Sequence, residues 1–428
     1  MRHKTFQIGV CAVLILLVST TTFAGDSPSA TELFLHTFTG GADGSVPDGP
    51  LTLAGNGTFY GSTFFGGTAN DGVVFKLSRT ATGTRETVVY NFQGGLSDVQ
   101  NPSGRLLVTK DGTIFGTAAG GEQGYGAVYK LTPSGTTYTE TILHVFGVGE
   151  APINAGVIVD YAGNLYGETA GGGQFGYGTI YELQRTSTGY RYLLLYSFHQ
   201  NEGDFPSGGL TFDQAGNLYG TTNAGGAALL GTIFELLHGS NGTWTESTLY
   251  TFQGTSDGMF PDGGVVFDAS GNLFGTTVNG GQPSCAKGLG CGEVYELSPS
   301  GGVWTKTVLH LFTDTPDGSA PDAGLAIDRF GNLFGTTNNG GTAGTGALFE
   351  VSPTSSGWTK TVLHSFTNGA DGGFVTSPVT LDLKGNIFGV TASGGRGGYG
   401  VAFASWVWMR SNALRMTQQA AFGRPFFL

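Results

Sequence analysis

Residues 209–252 read GLTFDQAGNLYGTTNAGGAALLGTIFELLHGSNGTWTESTLYTF, and they hold four strand signals in a row: GLTFD (209–213), LYGTT (218–222), GTIFEL (231–236) and TWTESTLYTF (243–252). Gln214-Ala215-Gly216-Asn217 joins the first two, a connector whose Gly and Asn favour the left-handed backbone angles of a tight hairpin. The last two are joined by a short stretch rich in Ser, Gly and Asn. We name the strands A, B, C and D; the short connectors between A and B and between C and D make them one antiparallel, up-and-down sheet.

The centre of this unit recurs. GNGTFYG ends at Gly61, DGTIFG at Gly116, GNLYG at Gly167 and Gly220, GNLFG at Gly275 and Gly335, and GNIFG at Gly389, at intervals of 55, 51, 53, 55, 60 and 54 residues. The long interval contains CAKGLGC (285–291), so a loop insertion accounts for it. Strand C is apolar on both faces, as Ile233, Phe234 and Leu236 illustrate, so each sheet needs a neighbour on either side. Seven sheets around an axis meet that need. A parallel β-helix has shorter, parallel-paired coils, and a sandwich would not need seven copies.

The chain ends say how the ring closes. The seventh unit has strands A (380–383), B (387–391) and C (400–403), but no strand D follows. A spare D-like strand, ELFLHTF (32–38), precedes the first unit, and its LHTF matches LHSF at 363–366. The sequence therefore predicts an all-β, seven-bladed propeller of four-stranded antiparallel blades over residues 31–404. The N-terminal strand should pair into the last blade and remove the open edges.

Composition agrees. Of 428 residues 77 are glycine, more than twice the usual share of about 7%, whereas charged residues are 12% against about 25%. There is no Gly-X-Y period, which excludes collagen, and 39% apolar residues supply a core. Arg2, His3 and Lys4, the apolar run 8–18 and Thr22-Phe23-Ala24 form an expected export signal, 1–24, too short to span a bilayer. Its removal takes two basic residues and no acid, leaving 17 basic against 31 acidic, or −14. Such a balance argues against nucleic acid and anionic lipid as partners. The mature chain is expected to lack a membrane span, to be a monomer and to be secreted or held at the cell surface. Cys11 leaves with the signal. Cys285 and Cys291 are then expected to form a local disulfide, and a zinc site would need more ligands than these two.

The repeats resemble the GloVer tandem repeats of exported bacterial proteins. The resemblance covers residues 31 to about 404 and rests on GNLYGTT, GNLFGTT, the following Gly-Gly, and the closing VYEL, IFEL or LFEV. It implies an exported propeller-like body, often with a C-terminal surface anchor, and no established activity. The tail 405–428, with SWVWMRSNALRMTQQ, carries no sorting motif followed by a spanning helix.

Strand reversals put the B–C loops and the D–A crossovers on one face. The crossovers ADGSVPDG (42–49), SDGMFPDG (256–263), PDGSAPDA (316–323) and ADGGF (370–374) bring Asp43, Asp48, Asp257, Asp262, Asp317, Asp322 and Asp371 to that face as candidate ligand-binding residues. Carboxylates beside glycine-rich loops suit Ca²⁺, or could act as an acid–base pair on a glycoside. The stronger reading is that Asp-Gly and Pro-Asp-Gly are common turn formers, repeated at equivalent places because the turn geometry repeats. Catalytic residues are not assigned, because nucleophile elbow, phosphate loop, dinucleotide fingerprint and zinc-protease motif are all absent. His36, His144, His310 and His364 share one slot in strand D with Tyr90, Tyr196 and Tyr250, which points to rings packed between blades. The aspartates ending strand A (Asp160, Asp213, Asp268, Asp328, Asp382) should bond turn backbone, and Glu182, Glu235, Glu296 and Glu350 should be structural too. Glycines in strand B, such as Gly220 and Gly275, should let a ring approach closely. The expected function is a non-catalytic module binding a glycan, cell-envelope component or protein through the long-loop face. The alternative is an extracellular polysaccharide hydrolase or lyase using carboxylates of that face, with Ca²⁺.

Overall fold

A computed structural model describes residues 33–406 apart from 56, 96–97, 121–124, 152–155, 282–284 and 286–287. The expected export signal and the tail beyond 406 lie outside the described residues. In the fourth repeat, strand A (Thr211–Phe212) pairs with B (Leu218–Ala224), B with C (Thr232–His238), and C with D (Trp244–Thr251), all antiparallel. Asp213 ends strand A: its Oδ1 accepts the N–H groups of Ala215 and Asn217, both at 2.8 Å, and its Oδ2 accepts Asn217 Nδ2 at 2.8 Å. Asp160, Asp268, Asp328 and Asp382 do the same in their own turns. The side chain thus supplies acceptors that a two-residue strand end lacks.

Seven such sheets make a seven-bladed β-propeller. The last blade is built from both chain ends: the N-terminal strand (Leu33–Thr37) pairs antiparallel with strand C of blade 7 (Val401–Ser405), Phe34 opposite Phe403 and Thr37 opposite Val401. It takes the place of the missing strand D, as the spare D-like segment predicts.

The core is divided among seven seams, each with its own apolar cluster. One ring pair recurs at every seam. The phenylalanine closing strand D of one blade meets the aromatic of strand C in the next: Phe92 with Tyr129 at 5.1 Å between centroids, Phe198 with Phe234 at 5.0 Å, Phe312 with Phe349 at 5.1 Å, Phe366 with Phe403 at 5.2 Å. Offset and edge contacts of this kind add to the area they bury. The strand C ring lies over the strand B glycine of its own blade. A Cβ built on Gly220 would sit 2.6 Å from the Phe234 ring, so no larger residue fits there.

Strand D carries a β-bulge in each blade. The extra residue, Leu35, Val89, Leu143, Leu195, Leu249, Leu309 or Leu363, turns into the seam cluster. The bulge twists the outer edge and makes it a poor template for another chain.

Strand A departs from the five-residue reading of GLTFD. Only two residues pair low on strand B, and the upper half of B is covered by the crossover, through Ser45–Pro47 in blade 1 and Asp204–Pro206 in blade 4. Positive φ at Gly209 (84°), between the two segments, breaks the strand where it would otherwise run straight. The D–A crossovers are therefore part of the sheets.

Candidate functional site

The long-loop face is built from those crossovers and the B–C loops, and hydrogen bonds between them establish that they share it. In six blades the crossover holds a non-glycine residue at positive φ: Val46 (54°), Asn101 (55°), Phe205 (62°), Phe260 (61°), Ala320 (53°) and Phe374 (54°). Each donates its N–H to the B–C loop of the preceding blade, as in Val46 to Tyr399 O at 3.0 Å, Phe205 to Tyr177 O at 3.2 Å and Phe260 to Leu230 O at 2.8 Å. Val46 is β-branched, and such a conformation persists only where its surroundings fix it. The stitch passes from blade 7 to blade 1 unchanged.

The seven candidate aspartates fall into two sets. Asp43, Asp257, Asp317 and Asp371 are braces: each accepts a hydrogen bond from the strand D ring slot, His36 at 3.0 Å, Tyr250 at 2.5 Å, His310 at 2.9 Å and His364 at 3.0 Å. Each also accepts a backbone N–H four residues earlier, from Thr39, Gln253, Thr313 or Thr367. The ring-to-acid bond recurs in blades 1 and 3, where Tyr90 donates to Asp98 at 3.3 Å and Tyr196 to Glu202 at 2.6 Å. In blade 2 the backbone half is kept, with Glu150 accepting the N–H of Gly147 at 3.1 Å, while His144 stacks on Tyr192. The ring slot also packs against the seam phenylalanine two residues on, His310 with Phe312 at 4.9 Å for example.

Four residues before that slot, the seam differs around the ring. Lys306 pairs with Asp257 at 3.1 Å and with Glu293 at 2.5 Å, and Lys360 pairs with Asp317 at 2.5 Å. In blades 1, 2 and 4 the slot holds Glu86, Glu140 and Glu246. Burial, reinforced by the charge of Asp43, pushes Glu86 up to about 7; burial and Asp98 push Glu140 to about 8; burial and Glu202 leave Glu246 at about 7. Asp317 goes the other way. Burial raises it, but hydrogen bonds from His310 and Lys360 and their charges outweigh that and hold it at about 2.

Asp48, Asp262 and Asp322 form the second set, beyond the stitch and towards the inner strands. Ser207 Oγ of the preceding crossover donates to Asp262 Oδ1 at 2.5 Å, and Asn338 donates to Asp322 Oδ2 at 2.8 Å. Burial pushes Asp48 to about 6; burial and the nearby Asp262 charge push Asp322 to about 7. Glu168, 1% exposed in the strand B slot where most blades have Thr, accepts the Gly209 N–H at 2.7 Å and is pushed to about 7 by burial. Among the described residues no three His, Cys, Asp or Glu side chains are grouped to hold a metal ion.

This face exposes four rings beside the aliphatic side chains of Val148, Leu229 and Leu289. Phe65, Phe175, Phe205 and Tyr399 are 41%, 38%, 41% and 42% exposed, and His199 stacks on Phe175 with centroids 3.6 Å apart. Cys285 and Cys291, in the B–C insertion of blade 5, are joined in a disulfide with Cα atoms 5.0 Å apart. No helix among the described residues is long and apolar enough to cross a membrane.

Closed sheets, seven repeated seams and glycine-locked strand B together define a repeat propeller. The chain belongs to the Gloeobacter/Verrucomicrobia repeat family, whose pattern it matches over residues 18–211, 119–303 and 158–403. No curated protein matches it.

Proposed function

We propose that the protein is an exported, monomeric, non-catalytic binding module that holds a glycan of the cell envelope or its surroundings on the long-loop face. The observation carrying this reading is the set of exposed rings Phe65, Phe175, Phe205 and Tyr399 on loops made rigid by the acid braces and the backbone stitch. Flat apolar faces held at fixed positions stack on sugar rings with little ordering cost, and bound carbohydrate needs no reactive group. The brace aspartates already accept two or more hydrogen bonds each, which leaves them little capacity for a ligand. The test is retention of the purified protein on a panel of immobilised neutral polysaccharides, with Phe175→Ala plus Phe205→Ala as the variant. Retention reduced at least tenfold supports the reading; unchanged retention removes this face.

A hydrolase or lyase has one observation in its favour, the neighbouring Asp262 and Asp322 with Asp322 pushed to about 7. Product release from the same panel, lost in Asp322→Asn, would establish it.

A further inference from the structure

The opposite face, at the A–B turns, is acidic in most blades. Asp160, Asp213, Asp268, Asp328 and Asp382 sit in the turns, and Glu182, Glu235, Glu296 and Glu350 stand on the adjoining strand C slot. Blades 1 and 2 break the pattern. The strand C slot there holds Lys76 and Lys130, and the turns replace the Asp–Asn pair by Ala54 with Thr58 and by Thr109 with Thr113. These smaller side chains leave space that the Asp–Asn pair and its partners fill elsewhere: a recess of about 620 Å³ opens between blades 1 and 2, lined by Ala54, Thr58, Tyr60, Lys76, Lys110 and Asp111 among others. Its volume lies within the range of small-molecule sites.

The charge balance of the recess is positive in a chain of net charge −12. Among the described residues Lys76 and Lys110 make no ion pair, whereas Lys306 and Lys360 are both paired. Asp111 is committed to its own turn, accepting from Thr109 Oγ1 at 2.5 Å and from Thr113 N and Oγ1 at 3.2 Å each. Two ammonium groups against one carboxylate leave a net positive charge, with the Thr58 side chain beside them on the recess wall.

We infer that the recess between blades 1 and 2 is an anion-binding site for a small carboxylated or phosphorylated ligand, its carboxylate or phosphate held by Lys76 and Lys110. The site lies on the face away from the long loops and does not depend on their ligand.

Calorimetric titration of the mature protein with digalacturonate, inorganic phosphate and neutral maltose tests it. The expected result is saturable binding of digalacturonate or phosphate and none of maltose, weakened at least tenfold by Lys76→Met with Lys110→Met. Lys384→Met, in the turn of blade 7, should leave it unchanged. Lys110 is exposed, so Lys110→Glu alone should fold normally and still weaken binding severalfold. Preference for digalacturonate over phosphate identifies a sugar acid, and the reverse identifies a phosphorylated unit. Failure of both anions to bind, or binding that survives both lysine variants, would overturn the inference.

Discussion

Phe38, one residue beyond the N-terminal strand, packs edge-on against Phe75 of blade 1 with ring centroids 5.0 Å apart. That is the contact Phe92 makes with Tyr129, and it places a residue from the start of the chain in the role of a seventh strand D. Phe38 is 0% exposed. Phe38→Ala should cost about 3–5 kcal/mol, the usual cost of emptying a buried phenylalanine site. Thermal unfolding would show it as a lower midpoint; a change below about 1 kcal/mol would mean that the seam is not sealed by this ring.

Gly220→Ala is expected to destabilise the protein although it adds one methyl group. The new Cβ would meet Phe234 at 2.6 Å, and that ring is itself wedged against Phe198 of blade 3. Overpacking of this kind costs about 1–3 kcal/mol. Denaturant titration should show a lower midpoint at unchanged slope; an unaffected midpoint would mean that the ring has room to move.

Stability should decline as pH rises from about 5 to 8. Glu86, Glu140 and Glu246 have folded-state pKa values raised to about 7, 8 and 7 from 4.5, so the folded chain binds more protons than the unfolded one across this window. Their protonated forms favour folding below the unfolded value, and that contribution is lost as pH passes the folded values. Glu140→Gln should flatten the profile, and a profile equally steep in that variant would count against the seam acids as its origin. Glu246→Lys, copying Lys306 beside Asp257, should stabilise the fold at pH 7 by about 1 kcal/mol by placing an ammonium beside Glu202.

At acid pH a different group takes over. Asp317 is held at about 2 against an ordinary 3.8, so its contribution is complete above 3.8 and disappears as pH falls through about 2. Asp317→Asn should therefore cost about 2 kcal/mol at pH 6 and much less at pH 2. An equal penalty at both values would show that the carboxylate charge is not what binds His310 and Lys360.

Chelator should leave the melting temperature within about 1 °C of its untreated value. Asp43, Asp257, Asp317 and Asp371 spend their oxygens on rings, lysines and backbone N–H groups, so little coordination is left for calcium. A fall of several degrees on adding chelator, reversed by Ca²⁺, would contradict this.

The blade pattern was legible because three constraints coincide in GNLYGTT: a turn needing left-handed residues, a glycine under a ring, and apolar faces on both sides. The closing strand was legible because LHTF repeats LHSF. The brace was not legible as a pairing, although both of its halves, the strand D ring slot and the crossover aspartates, stood out in the sequence. His36 and Asp43, His310 and Asp317, and His364 and Asp371 are seven residues apart, but Tyr90 and Asp98 are eight apart and Tyr196 and Glu202 six, so length variation in the crossover hid the common pairing. A strand D ring followed by an acid within six to eight residues in each copy was the available signal. The split of strand A was not legible, because it depends on the crossover of the same blade folding back on strand B, a contact without a local sequence mark. The anion recess was equally hidden: Lys76 and Lys110 lie 34 positions apart and meet only through the seam.

Amide hydrogen exchange across residues 33–38 tests the closed ring most directly. Phe38 N–H donates to Gly400 O at 3.1 Å, and the strand before it is paired along blade 7. Protection matching that of strand D in blade 6 (Gly357–Ser365) is the predicted result. Exchange of 33–38 at the rate of an unstructured peptide, with blade 6 still protected, would contradict closure by the N-terminal strand.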